Sequence, residues 1–245
     1  MAINTDSVNY VACAVRLAES LKNFHPAASV CLITDSDYQH DVFDHVRMMS
    51  VVDRHNIWAN DWQVFRLTPY RETVKLEADM LIASPVDHWW TLFRNRDLVI
   101  STGCRDWRGQ VSQSRHYRRV FDENHLPDVY NAITYWRRSH TAKEFFDTVR
   151  LIFENWDNYR RLLKFADDVP STDLVYAMAA QIVGPEQCTL PAGYSPQIVH
   201  MKQHIAGTHT NNWTQELVWE TDPLRINTVA QWGVFHYHVK DWRHD

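Results

Sequence analysis

Glycine is scarce in this chain. The 245 residues hold six, and none stands before Gly103. A Gly-rich, basic loop after the first strand is therefore missing, which argues against the nucleotidyltransferases that open with one. Cysteine is scattered: Cys13, Cys31, Cys104 and Cys188 form no C-x-x-C pair. That excludes a zinc knuckle or a dithiol redox motif and fits reduced thiols in a cytoplasmic setting, the host cytoplasm if the protein is viral. No apolar run approaches the roughly 18 residues of a membrane span. The opening residues, MAINTDSVNY, carry neither the basic nor the apolar region of a signal peptide. Neither charge sign dominates: 25 Lys and Arg stand against 30 Asp and Glu, a net −5. A generic nucleic-acid-coating protein would be strongly basic. Repeats, low-complexity tracts and linkers are absent as well, so residues 1–245 read as one domain.

What is present is an ordinary globular balance, 45% hydrophobic and 22% charged, with eleven Trp and fourteen His. Val8, Val11, Val15, Ala18 and Leu21 mark one helical stripe over 7–23, stopped at His25-Pro26. Val30 to Ile33 is a short apolar run ending in Thr34-Asp35, the pattern of a buried parallel strand. Ligands bind beyond the carboxyl ends of such strands, which makes Asp35 a candidate contact, although a turn or capping role suits it equally. Further strands are predicted at 45–52, 74–82, 98–100 and 129–136. Thr68-Pro69 reads as a helix start, Asp87 as the cap of a helix over 87–93, and Thr141-x-x-Glu144 as a capping box. Ser171 caps a helix that Gly184-Pro185 ends. The expected fold is α/β, a central mixed, mostly parallel sheet flanked by helices.

The stretch KLEADMLIASP (75–85) places Glu77 and Asp79 inside an apolar run. On a strand, residues two apart share a face, and two carboxylates there repel unless a cation lies between them. Mg²⁺ or Mn²⁺ takes such oxygens and keeps positions for phosphate. By composition alone, a solvated strand end is the better account of the two acids.

The order of motifs resembles the GT-A (Rossmann-like) glycosyltransferases of family 8, which use nucleotide sugars and hold a metal on a D-x-D motif. LITDSD (32–37) is similar to the family's second strand with its acidic end. YRETVKLEADMLIASPVDHWW (70–90) is similar to its basic segment, D-x-D strand and following helix. PDVYNAITYWRRS (127–139) resembles the strand lining the sugar site, and STDLVYAM (171–178) the start of the D-q-d helix. IVHMK (198–202) and FHYHVKDW (235–242) both resemble the terminal His–Lys motif. Wording such as KLEADML, STGCRD and PDVYN resembles still more an uncharacterised group of T-even-like phage proteins.

The resemblance implies a single GT-A domain and a hexosyl- or pentosyltransferase using Mn²⁺ or Mg²⁺. Asp79 would be the direct ligand, with Glu77 in place of the family's first Asp and His200, then His238, as nitrogen ligands. Asp35, Arg71, Lys75, Lys202 and Lys240 would face the donor, a nucleoside diphosphate sugar, foremost a UDP-sugar. Asn131 and Asp173 would orient the sugar, and Asp106 or Asp173 would serve as base if the reaction inverts. Residues 105–119 carry five Arg against one Asp, with Trp107 and Tyr117. Arg105, Arg108, Arg115 and Trp107 are thus candidates for an acceptor site, since guanidinium forks suit phosphate and rings suit bases or sugars. An exposed helix face is the competing account of that stretch. The acceptor implied by the phage likeness is a DNA base, hydroxymethylcytosine; a carbohydrate acceptor, or an inactive sugar- or DNA-binding homologue, are the alternatives.

Overall fold

The computed structural model describes residues 1–50, 53–103, 119–191, 193–196, 198–201 and 233–237. Helix α1 (Tyr10–Phe24) begins where Asn9 accepts a hydrogen bond from the Ala12 amide. It buries Val11, Ala14, Leu17 and Ala18, the expected stripe. β1 (Cys31–Thr34) follows and pairs in parallel with β2 (His45–Met48). Ala2 bridges to Thr34 on the other side of β1, also in parallel.

The remaining strands form two more sheets. β3 (Glu72–Leu76) and β5 (Leu98–Thr102) flank β6 (Val129–Arg137), both antiparallel to it. β4 (Met80–Ile82) pairs antiparallel with β8 (Val234–Tyr237), and β8 pairs in parallel with β7 (Ile198–Met201). The expectation of one central, mostly parallel sheet is corrected: among the described residues there are three small sheets, with more antiparallel than parallel ladders. The physical reason is that a continuous apolar run reports burial on both faces, not strand direction. All of β6 but its last residue is buried. Helices α5 (His140–Glu154) and α7 (Thr172–Val183) bring Phe145, Phe146, Val149, Val175 and Tyr176 into one core cluster with Trp136. Tyr135, Ile133 and Tyr130 pack in another with Met80, Phe93 and Leu17.

Three local expectations also change. Thr68-Pro69 does not start a helix: α2 (Val64–Leu67) ends there, and Thr68 turns to ψ 132° as its C-cap. A residue ahead of proline is pushed out of the helical region, so the pair terminates rather than initiates. α5 is capped by Ser139, which accepts from the Ala142 amide, so the helix starts ahead of the Thr141 box. Asp87 precedes α3 (His88–Phe93) but makes no capping bond; its carboxylate pairs with His25 Nδ1 at 3.2 Å. The Ser171 cap holds as expected, accepting from the Leu174 amide, and Gly184 at φ 114° ends α7. A 3-10 helix (Ile57–Gln63) precedes α2, and three short helices complete the described order: α4 (Arg119–Glu123), α6 (Trp156–Leu163) and α8 (Pro185–Cys188). No helix among the described residues is long and apolar enough to cross a membrane.

Candidate metal centre

Glu77 and Asp79 do not lie on one strand. β3 ends at Leu76, β4 begins at Met80, and the two belong to different sheets. The acids sit on the link between them, where the chain leaves one sheet for the other. Ladder bonds hold the link at both ends: the Glu77 amide donates to the Ala132 carbonyl on β6, and the Asp79 carbonyl accepts from the Tyr237 amide on β8. Convergence of the two carboxylates is thus set by the link, not by strand alternation.

The β4–β8 register puts Met80 opposite His236 and so delivers an imidazole to the acids. His236 Nε2 lies 3.1 Å from Asp79 Oδ2 and 3.4 Å from Glu77 Oε2. One ligand atom from each of the three residues lies within 4.8 Å of the others. Two ligands about 2.1 Å from one ion, at tetrahedral or octahedral angles, stand roughly 3.0–3.4 Å apart. The observed spacings fit that requirement. With no ion bound, a protonated His236 between the two carboxylates satisfies the same distances as an ion pair.

The electrostatics are those of an acid pair short of positive charge. The Glu77 carboxyl is pushed up to about 7, first by burial within the surrounding protein and further by the charges of Asp79 and Asp173; His236 and Lys75 pull it back. A quarter of its side-chain surface, 27%, still reaches solvent, so the site is packed but open. Two pH effects follow. A cation bound there would need the ionised form, so its affinity would rise with pH and level off above about 7. In the metal-free protein the sign is opposite. The folded state keeps a proton that the unfolded chain loses near 4.5, so this group's contribution to stability is full below 4.5 and is lost as pH rises to about 7. Urea denaturation in chelator across that range checks this, with Glu77→Gln flattening the slope.

Other expected site residues fall around this centre or away from it. The Asn131 backbone N–H on β6 donates to Asp173 Oδ1 at 2.8 Å, and the Asp173 charge is felt at Glu77. Asn131 and Asp173 are therefore joined beside the acids. Asp35 follows β1, half-buried, and Arg71 is exposed ahead of β3. Lys75 is buried: its Nζ donates to Asp61 Oδ2 at 2.6 Å, so its ammonium is engaged inside the core. The backbone of His200 on β7 pairs with His236. Arg105, Asp106, Trp107, Arg108, Arg115, Lys202, His238 and Lys240 lie outside the described residues.

Sequence reasoning missed three groups. His236 lies within FHYHVKDW, where the sequence singles out His238 instead, because nothing local fixes the β4–β8 register. Tyr10, first residue of α1, sits where the charges of Asp79 and Glu77 help raise its hydroxyl to about 12, after the larger effect of burial. Trp58 packs against it edge-on, 6.0 Å between ring centroids, and is 40% exposed. Tyr10 thus lies within reach of the charges of both acids, with Trp58 packed against it, and no motif marks either residue in the sequence.

The fold is similar to that of a solved glycosyltransferase. Two crystal structures of the galactosyltransferase LgtC match the chain. The one in complex with donor and acceptor sugar analogues gives a TM-score of 0.54 at 15% identity, covering 99% of this chain and 88% of that one. The other, an active-site mutant, gives 0.53 at 14% identity, covering 99% and 89%. At this identity the likeness establishes the fold. No protein-family model matches the chain, and no curated protein sequence does.

Proposed function

We propose that the chain is a single-domain, metal-dependent glycosyltransferase that moves a hexosyl or pentosyl group from a nucleoside diphosphate sugar to a hydroxyl acceptor. The observation that carries it is the convergence of Glu77, Asp79 and His236 within 4.8 Å in a fold shared with LgtC. A hard divalent ion such as Mn²⁺ or Mg²⁺, once bound there, would neutralise charge on the diphosphate as it leaves. Asp79, 7% exposed, would be the anchoring ligand. Glu77 would complete the carboxylate pair and His236 supply the nitrogen, in the place expected of His200 or His238. Asn131 and Asp173, already hydrogen-bonded to each other, would orient the sugar. The base of the donor would lie on Tyr10, which feels the charges of both acids, and on Trp58 packed against it, and a UDP-sugar is the donor we favour. Asp35, Arg71, Lys202 and Lys240 remain donor contacts in this proposal.

Configuration would be retained, so that no separate base is required across the ring. The acceptor would be hydroxymethylated cytosine in phage DNA, held by Arg105, Arg108, Arg115 and Trp107; this rests on the wording shared with T-even-like phage proteins. Nucleoside diphosphate sugar hydrolysis, measured over a panel of donors with and without Mn²⁺, tests the activity. Turnover that needs metal is expected. If no donor turns over and Asp79→Ala leaves donor binding intact, the inactive, sugar- or DNA-binding reading replaces it.

A further inference from the structure

Strand β6 carries a long bulge on the side that faces β5. Between Ile100 and Ser101, β5 advances one residue, while the partner on β6 moves from Thr134 to Tyr130. Asn131, Ala132 and Ile133 therefore have no opposite residue on β5, whereas Ile133 still pairs with Leu76 on β3. All three are buried, so the backbone groups that the bulge releases need other partners. Bulges bend a strand and re-aim what it carries, and they recur beside functional sites.

Those partners lie at the acidic centre and around it. The Asn131 N–H donates to Asp173 Oδ1, and Asp173 stands half-buried in the first turn of α7. The Ala132 carbonyl accepts from the Glu77 N–H at 3.2 Å. The Asn131 carbonyl accepts from Thr134 Oγ1 at 3.1 Å. At the other end of the bulge the fully buried Ser101 hydroxyl donates to the Tyr130 carbonyl at 2.6 Å. The Tyr130 ring stands edge-on to His236, 6.2 Å between ring centroids. Three consecutive residues of β6 thus each meet one part of the site. Tyr130 packs on the imidazole, Asn131 is held by Asp173, and Ala132 holds the backbone of Glu77.

We propose that the β6 bulge is the template of the acidic centre, and that Asp173 and Ser101 are positioning residues that lock it and so fix Glu77 and His236 for a cation. This rests on the reading of Glu77, Asp79 and His236 as a cation site. The role belongs to the hydrogen bond that Asp173 accepts, not to its charge. Asp173→Asn keeps an oxygen for the Asn131 N–H and loses the charge, whereas Asp173→Ala loses both. The test reads amide hydrogen exchange of the metal-free chain by NMR, and Mn²⁺ affinity of the same proteins by electron paramagnetic resonance. Asp173→Ala should speed exchange at Asn131 and Glu77 by about tenfold beyond any change at the amides of α5, and weaken Mn²⁺ binding by about tenfold, the worth of one hydrogen bond to a carboxylate. Asp173→Asn should recover most of both losses. Ser101→Ala loosens the same bulge from the β5 side, so it should weaken Mn²⁺ binding in the same direction, and it decides the matter if Asp173→Ala does not fold. Equal losses in the Asn and Ala variants would assign the effect to charge and overturn the proposal. So would unchanged Glu77 exchange and Mn²⁺ affinity in Asp173→Ala. A wild type that binds no Mn²⁺ would overturn the cation reading alone, and Glu77 exchange would then decide whether the bulge positions this residue.

Discussion

Asp79→Ala is expected to remove Mn²⁺ binding at micromolar metal and to cut sugar transfer by about 10²–10³-fold, the loss typical when one preorganised electrostatic contact is deleted. The side chain is nearly buried, and its Oδ2 is the carboxylate oxygen nearer to His236 Nε2, at 3.1 Å against 3.4 Å for Glu77. Its backbone is fixed independently, because the Asp79 carbonyl accepts from the Tyr237 amide. The substitution therefore deletes a ligand while the link between β3 and β4 keeps its course. It also removes one of the charges that push Glu77 upward, so the pH at which residual metal binding appears should move down. Asp79→Asn keeps the shape but loses the charge and should fall between wild type and alanine. Electron paramagnetic resonance of Mn²⁺, with turnover on the same protein, measures all three effects. Full metal affinity in Asp79→Ala would place the ion elsewhere.

Lys75→Met should be the most destabilising single change near the centre, by about 3–5 kcal/mol. Lys75 and Asp61 are 5% and 3% exposed at their side chains and meet at 2.6 Å. The Tyr176 hydroxyl donates to the same Asp61 oxygen, and the ammonium stands 5.1 Å from the centre of the Tyr176 ring. Methionine matches the length of the stem but strands a buried carboxylate without its cation. The large cost comes from that stranded charge rather than from the worth of the pair. Lys75→Met combined with Asp61→Asn should accordingly recover much of the loss, and urea denaturation of the two variants decides it. A cost below about 1 kcal/mol for the single change would mean that water reaches Asp61. Lys75 also draws the Glu77 carboxyl downward, so its loss should raise the pH needed for metal binding. A residue expected to touch the donor thus reaches the centre through the field it exerts from the core.

The motif residues show how the two levels of reading divide. Glu77 and Asp79 stand out in the sequence because acids interrupt an apolar run, and that contrast survives whatever the local structure. Their mutual geometry was misjudged: a link between two sheets does the work assigned to strand alternation. Asn131 and Asp173 lie 42 positions apart yet share a hydrogen bond, and the motif resemblance placed both at the sugar site. The family resemblance assigns Lys75 to the donor phosphates, whereas Asp61, with which its ammonium pairs, carries no motif of its own. His236 could not be singled out from His200 and His238, since three histidines near strand ends look alike until pairing is known.

By itself the sequence determined where the chain buries itself and where it stops. Apolar spacing set α1, Ser171 supplied a cap, and Gly184 ended a helix, because these depend on contacts within a few residues. Strand direction, the division into three sheets and the choice of His236 were decided only by the tertiary structure. Those depend on pairings between residues far apart in the chain, such as Met80 with His236, and the energy of a pairing is not written in either partner alone.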